Sequence, residues 1–117
     1  MAAPNIVGVT TITGKTAVLA VTTSASAIVT NSAASGKVFK VNALYVANVD
    51  GTNSADITVD LFRSSTAYRI VNTVAVPADS TLDVISKSIY LEEGDSLRLT
   101  ASANSDLEAV CSYEEIS

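Results

Sequence analysis

Apolar and polar residues alternate with a period of two along much of this chain. In Ala55-Asp56-Ile57-Thr58-Val59-Asp60-Leu61 every second residue is apolar. The same alternation runs through Ser96-Leu97-Arg98-Leu99-Thr100-Ala101 and Leu107-Glu108-Ala109-Val110-Cys111-Ser112-Tyr113. Such a period turns one set of side chains to a core and the other to solvent or a partner, which predicts half-buried strands. Strands are predicted near 6–12, 15–22, 26–30, 37–48, 55–62, 67–75, 81–91, 96–101 and 107–115, with 81–91 open to division into two short strands. Asp50-Gly51-Thr52-Asn53 reads as a hairpin loop, and Thr13-Gly14, Ser35-Gly36, Pro77-Ala78-Asp79-Ser80 and Glu93-Gly94-Asp95 read as turns. Short strands at intervals of about ten residues predict a sandwich, jelly roll or small barrel. An antiparallel, jelly-roll-like β-sandwich of eight or nine strands is the preferred form. A helix over Ser24–Ala34 is the rival reading, suggested by its alanines. Its Ser and Thr side chains oppose it, because they compete for backbone hydrogen bonds.

Composition strengthens the all-β reading. Ser and Thr make up roughly a quarter of the chain, Val and Ala dominate the apolar set, and Gln is absent. At 117 residues the chain suits one domain, 1–117, with residues 1–5 as a candidate N-terminal arm. A net charge of -5 opposes nucleic-acid binding, which needs a basic face to neutralise phosphates. No stretch approaches the roughly 18 consecutive apolar residues of a membrane-spanning helix. Met1-Ala2-Ala3-Pro4-Asn5 lacks the basic and apolar regions of a secretion signal, so the expected site of synthesis is a cytoplasm.

Candidate chemistry is sparse. The chain has no His and therefore no imidazole base or ligand, and its single Cys111 excludes an intramolecular disulfide. Cys111 reads as a small buried hydrophobe. Glu92-Glu93 and Glu114-Glu115 are adjacent pairs whose members point to opposite faces if they lie in strands. The oxygen-rich Asp50–Asp56 segment lacks the distal Glu of an EF-hand and is equally well explained as a turn. No Walker A, G-x-G-x-x-G or G-x-S-x-G pattern occurs, so no catalytic residue, metal or cofactor is assigned. Tyr45, Tyr68, Tyr90 and Tyr113, with Arg63, Arg69 and Arg98, are residue types enriched at interface hot spots. Arg63 and Arg69 flank the Ser64-Ser65-Thr66 turn, and a hairpin tip with two cations suits an acidic partner.

Several segments in succession carry a resemblance. These are Val18 to Thr30, Lys37 to Gly51 (KVFKVNALYVANVDG), Ala55 to Leu61 (ADITVDL), Val76 to Leu82 (VPADSTL) and Ile89 to Leu97 (IYLEEGDSL). In this order they resemble small virion structural proteins of tailed bacteriophages, especially those of marine and cyanobacterial hosts, over most of the chain. The resemblance implies a sandwich-fold particle component without a catalytic or ligand motif. A capsid decoration (cement) protein on the outer surface of the head, bridging subunits of the major capsid protein, is the leading expectation. A tail, neck or fibre component is the alternative. A carbohydrate-binding module ranks lower, having few aromatic residues to offer, and a small hydrolase lower still. A homo-oligomer around a symmetry axis is expected, with a trimer favoured. Small side chains lose little rotamer entropy on burial, which suits close-packed subunit contacts. The candidate interface residues are Asn5, Ile6, Val7, Asp50, Asn53, Arg63, Tyr68 and Arg69. The first three belong to a segment that could add to a neighbour's sheet, although an ordinary first strand is the preferred reading of it.

Overall fold

The computed structural model describes residues 4–117, so Met1–Ala3 of the candidate arm lie outside the described residues. It contains nine strands: β1 Ile12–Val21, β2 Ser26–Thr30, β3 Val38–Asn48, β4 Ala55–Arg63, β5 Thr66–Val76, β6 Thr81–Asp83, β7 Ile89–Leu91, β8 Ser96–Ala101 and β9 Leu107–Ile116. No helix forms among the described residues, and the rival helix over Ser24–Ala34 is replaced by β2 and the loop after it.

Two antiparallel sheets face each other. Sheet A has the order β1-β9-β3-β6, with β7 also pairing with β3, and sheet B the order β2-β8-β4-β5. The pairing is nested. β1 pairs with β9, β2 with β8, β3 with both β6 and β7, and β4 with β5. If β6 and β7 count as one interrupted strand, the chain is a long hairpin rolled into a sandwich, the jelly-roll-like connectivity. The predicted division of 81–91 is present: Val84 donates to the Leu44 carbonyl at 3.0 Å, and Ile85 turns into the core between the two short strands.

The alternating residues form the core. Ile57 and Val59 from β4, Leu97 and Leu99 from β8, and Leu44 and Val46 from β3 have no exposed surface. Burying each such side chain stabilises the fold by roughly 1.5–3 kcal/mol relative to exposure. Cys111 lies among them, and burial pushes its thiol pKa up to about 11.

Three local expectations are corrected. No strand forms at 6–11: Asn5 closes a turn instead, its side chain accepting the Val7 N–H at 3.0 Å and its carbonyl accepting the Gly8 N–H at 3.0 Å. Thr13-Gly14 is not a turn but part of β1, pairing with Glu115 and Glu114. Gly14 tolerates the strand because it lies at a sheet edge, where its missing side chain leaves no packing defect. Asp50–Asn53 is not a hairpin loop, since it carries the chain from β3 in one sheet to β4 in the other. β3 already has β9 on one side and β6 and β7 on the other, so β4 has no place beside it.

Candidate functional site

One end of the sandwich holds an open cleft of about 420 Å3 lined by Arg63, Ser64, Glu92, Glu93, Gly94 and Asp95. β4 delivers Arg63 at its last position, and the turn between β7 and β8 delivers the acids. Arg63 Nε donates to Asp95 Oδ1 at 2.7 Å, and its Nη2 donates to Asp95 Oδ2 and to Glu92 Oε2. Asp95 is 1% exposed and also accepts the Glu92 N–H at 2.8 Å. Burial works to raise the Asp95 pKa, but the Arg63 hydrogen bond, the Glu92 N–H and the Arg63 charge together hold it below the usual carboxylate range. The hydrogen bond to Asp95 likewise fixes the Arg63 proton more firmly. Glu93 turns away: its Oε2 accepts the Gly36 N–H at 2.9 Å, while its buried Oε1 has no hydrogen-bond partner among the described residues. Glu92 and Glu93 therefore diverge as expected, although from a turn rather than a strand.

Asn31 ties this end together. Its buried amide donates to the carbonyls of Lys37 and Leu91, and its side-chain oxygen accepts the Ser35 hydroxyl. Asn48 has the same role at the opposite end, donating to the carbonyls of Asn53 and Val76. Asp50 caps the loop beyond it. Its Oδ1 accepts the Thr52 and Asn53 N–H groups and its Oδ2 the Asn53 amide. The Thr52 N–H is the chief cause that holds its pKa low. The carboxylate thus serves the loop's own donors, as a turn requires. Among the described residues no three His, Cys, Asp or Glu side chains group as metal ligands.

The candidate interface residues do not converge. Asp50 and Asn53 precede β4 and Arg63 ends it, which separates them by a strand length of about 26 Å. Ile6 and Val7 are exposed beyond the start of β1, and Asn5 is occupied by its own turn. Tyr68 and Arg69 lie on β5, both exposed. Nor do Arg63 and Arg69 form a free pair of cations. Arg63 is engaged by Asp95 and Glu92, and Arg69 Nη1 lies 3.7 Å from Asp60 Oδ2.

Two surface rows escaped the sequence reading. Across the outer face of sheet B, Ala27, Arg98, Asp60 and Arg69 fall in register. Arg98 Nε donates to Asp60 Oδ1 at 2.9 Å, its guanidinium covers the Phe62 ring at 3.9 Å, and Asp60 is buried beneath them. A charged residue inside each of two apolar strands, Val59-Asp60-Leu61 and Leu97-Arg98-Leu99, was the available signal. Across the outer face of sheet A, Val18, Val110 and Tyr45 fall in register, with exposures of 75%, 41% and 45%. The row on one side sets Ala20 and Ala47 about the exposed Glu108, and the row on the other sets Thr16 and Ala43 about Ser112. The exposed Asp83 pairs with Tyr45, so a short apolar row lies among small residues with a carboxylate at two of its borders.

No protein-family model and no curated protein matches this chain. Among solved structures it is similar to a chain of Bacillus endospore appendages, described as a family of disulfide-linked pili. The two are 17% identical with a TM-score of 0.52, over 90% of this chain and 87% of that one. At that identity the likeness concerns the fold alone.

Proposed function

We propose that this chain is a non-enzymatic structural subunit that works by packing against other proteins in a larger assembly. The observation that carries this reading is the Val18–Val110–Tyr45 row. It is an exposed apolar row across three hydrogen-bonded strands, with the small side chains of Thr16, Ser112 and Ala43 on one side and Glu108 and Asp83 at its borders as a polar rim. The finer version is a bacteriophage virion component, with decoration of the outer head surface and contact to the major capsid protein as its first form. Its support is the order of segments from Val18 to Leu97 that resembles phage virion proteins. A fibre, tail or neck position is the second form, favoured by the similarity in fold to a subunit of a pilus.

Purified protein mixed with phage heads that lack it should co-sediment at a fixed, saturating ratio. Tyr45→Asp and Val110→Asp should each reduce that binding at least tenfold while the β-sheet circular dichroism is unchanged. Filaments of the protein alone under the electron microscope, without head binding, would select the fibre form. A chain that neither binds heads nor assembles would overturn the proposal and return the carbohydrate-binding module to first place.

A further inference from the structure

The four sheet edges are not equivalent. Natural sandwiches guard edges by shortness, bulges, backbone irregularity or charge. β2 is five residues long with a register shift, and β6 and β7 are three residues each. β5 is long, but its register with β4 shifts twice, Thr73 has a φ of 46°, and Arg69 projects from it. β1 has none of these guards. It pairs with β9 over ten residues without a shift, contains no proline, and its one charge, Lys15, is bound to Glu115 at 2.9 Å.

The ladder shows which groups are free. Thr11 and Ser117 exchange both backbone hydrogen bonds at 2.9 Å. Pairing alternates from there, so Ile12, Gly14, Thr16, Val18 and Ala20 direct their N–H and C=O groups away from β9. All five residues are uncharged and exposed.

We infer that β1 is a homodimerisation edge, taking as its partner β1 of a second copy in antiparallel pairing about a two-fold axis at Thr16. In that register the free residues face one another in complementary sizes. Ile12 meets Ala20, Gly14 meets Val18, and Thr16 meets Thr16, a pairing favoured across strands. A side chain built at Gly14 would meet nothing within 4 Å, so the space Val18 of the other copy needs is open. Lys15 faces Ala17, so no like charges oppose. Five facing pairs supply about ten backbone hydrogen bonds. The two four-position sheets become one continuous sheet that carries two copies of the Val18–Val110–Tyr45 row. A two-fold interface of this kind closes on itself. The inference stands on the edge geometry and does not depend on the particle reading.

The test combines solution mass with cross-linking. From about 1 µM to about 1 mM the weight-average mass should rise from one chain toward two, as a small interface implies. Thr16→Pro removes only an outward-facing N–H, which edge strands tolerate, and should hold the mass at one chain with unchanged circular dichroism. Val18→Lys should do the same and serves where the proline variant fails to fold. Thr16→Cys should give a disulfide dimer under mild oxidation, since facing Cα atoms would lie about 5.5 Å apart. Val49→Cys, also exposed but away from β1, should not, and Cys111 is buried and does not compete. A chain that stays single at about 1 mM without cross-linking at position 16, a trimer mass, or a dimer indifferent to both edge variants would each overturn the inference.

Discussion

The outer faces of the two sheets arise from the same alternating pattern and use it in opposite ways. On sheet B the outward positions carry Arg98, Asp60 and Arg69, which fold onto one another and onto Phe62 until Asp60 is 2% exposed. On sheet A the central outward row carries Val18, Val110 and Tyr45, which stay exposed, with Glu108 and Asp83 beside it. A face that satisfies its own charges has little left to offer a partner. An apolar row gains by being covered, and the carboxylates that border this one, Glu108 and Asp83, can stay in water at its rim. Exposure of the strands alone does not separate the two faces; the pairing of what stands on them does.

The comparison is broken most severely at Asp60. Asp60→Ala leaves the Arg98 guanidinium without its main partner over a largely buried site. Urea unfolding should show a loss of about 2–3 kcal/mol, below the range for fully buried pairs because both arginines reach water. A loss under 0.5 kcal/mol would mean that the sheet B row contributes nothing beyond its geometry.

Next in size is Asp95→Asn, with an expected loss of about 1–2 kcal/mol at neutral pH, since Arg63 is partly solvent-exposed. Because the folded pKa of Asp95 is depressed, its contribution is present in full above the ordinary value of 3.8 and is lost as pH falls through the folded value. The stability gap between wild type and variant should therefore be flat from pH 5 to 8 and shrink in more acidic solution. A gap that widened with acid would contradict the pairing.

Smaller still, Ser65→Gly should stabilise by about 0.5–1 kcal/mol. Ser64 and Ser65 have φ of 51° and 61° in the two-residue turn of the β4–β5 hairpin, a conformation that glycine adopts freely. At the bottom of the scale, Tyr45→Ser should alter stability by less than about 0.5 kcal/mol while weakening partner binding. Those two readouts together sharpen the contrast: sheet B changes should be read in denaturant, sheet A changes in assembly.

Much of this was legible in the sequence. The period of two in Ala55–Leu61, Ser96–Ala101 and Leu107–Tyr113 placed Ile57, Val59, Leu97, Leu99, Leu107 and Cys111 in the core, where they lie. Local signals failed where a distant strand decides. Thr13-Gly14 has turn chemistry, yet the run from Glu114 to Ile116 draws it into β1. Asp50–Asn53 has the residues of a hairpin loop, yet whether the next strand lies beside β3 depends on β6, β7 and β9. The apolar row was hidden for the same reason. Val18, Tyr45 and Val110 each read as a single exposed residue until register joins them.

The nested pairing also sets an order of events. The β4–β5 hairpin closes over two residues, whereas β1–β9 joins Ile12 to Ile116, more than a hundred positions away. Such distant pairing is slow to form, because most of the chain's freedom must be lost before it is rewarded. β9 is also translated after the other eight described strands, yet it lies between β1 and β3. Until it arrives β1 has no neighbour in its sheet and β3 has one side open. Refolding should therefore be slow and sensitive to protein concentration, with stray association at that vacancy as its competitor.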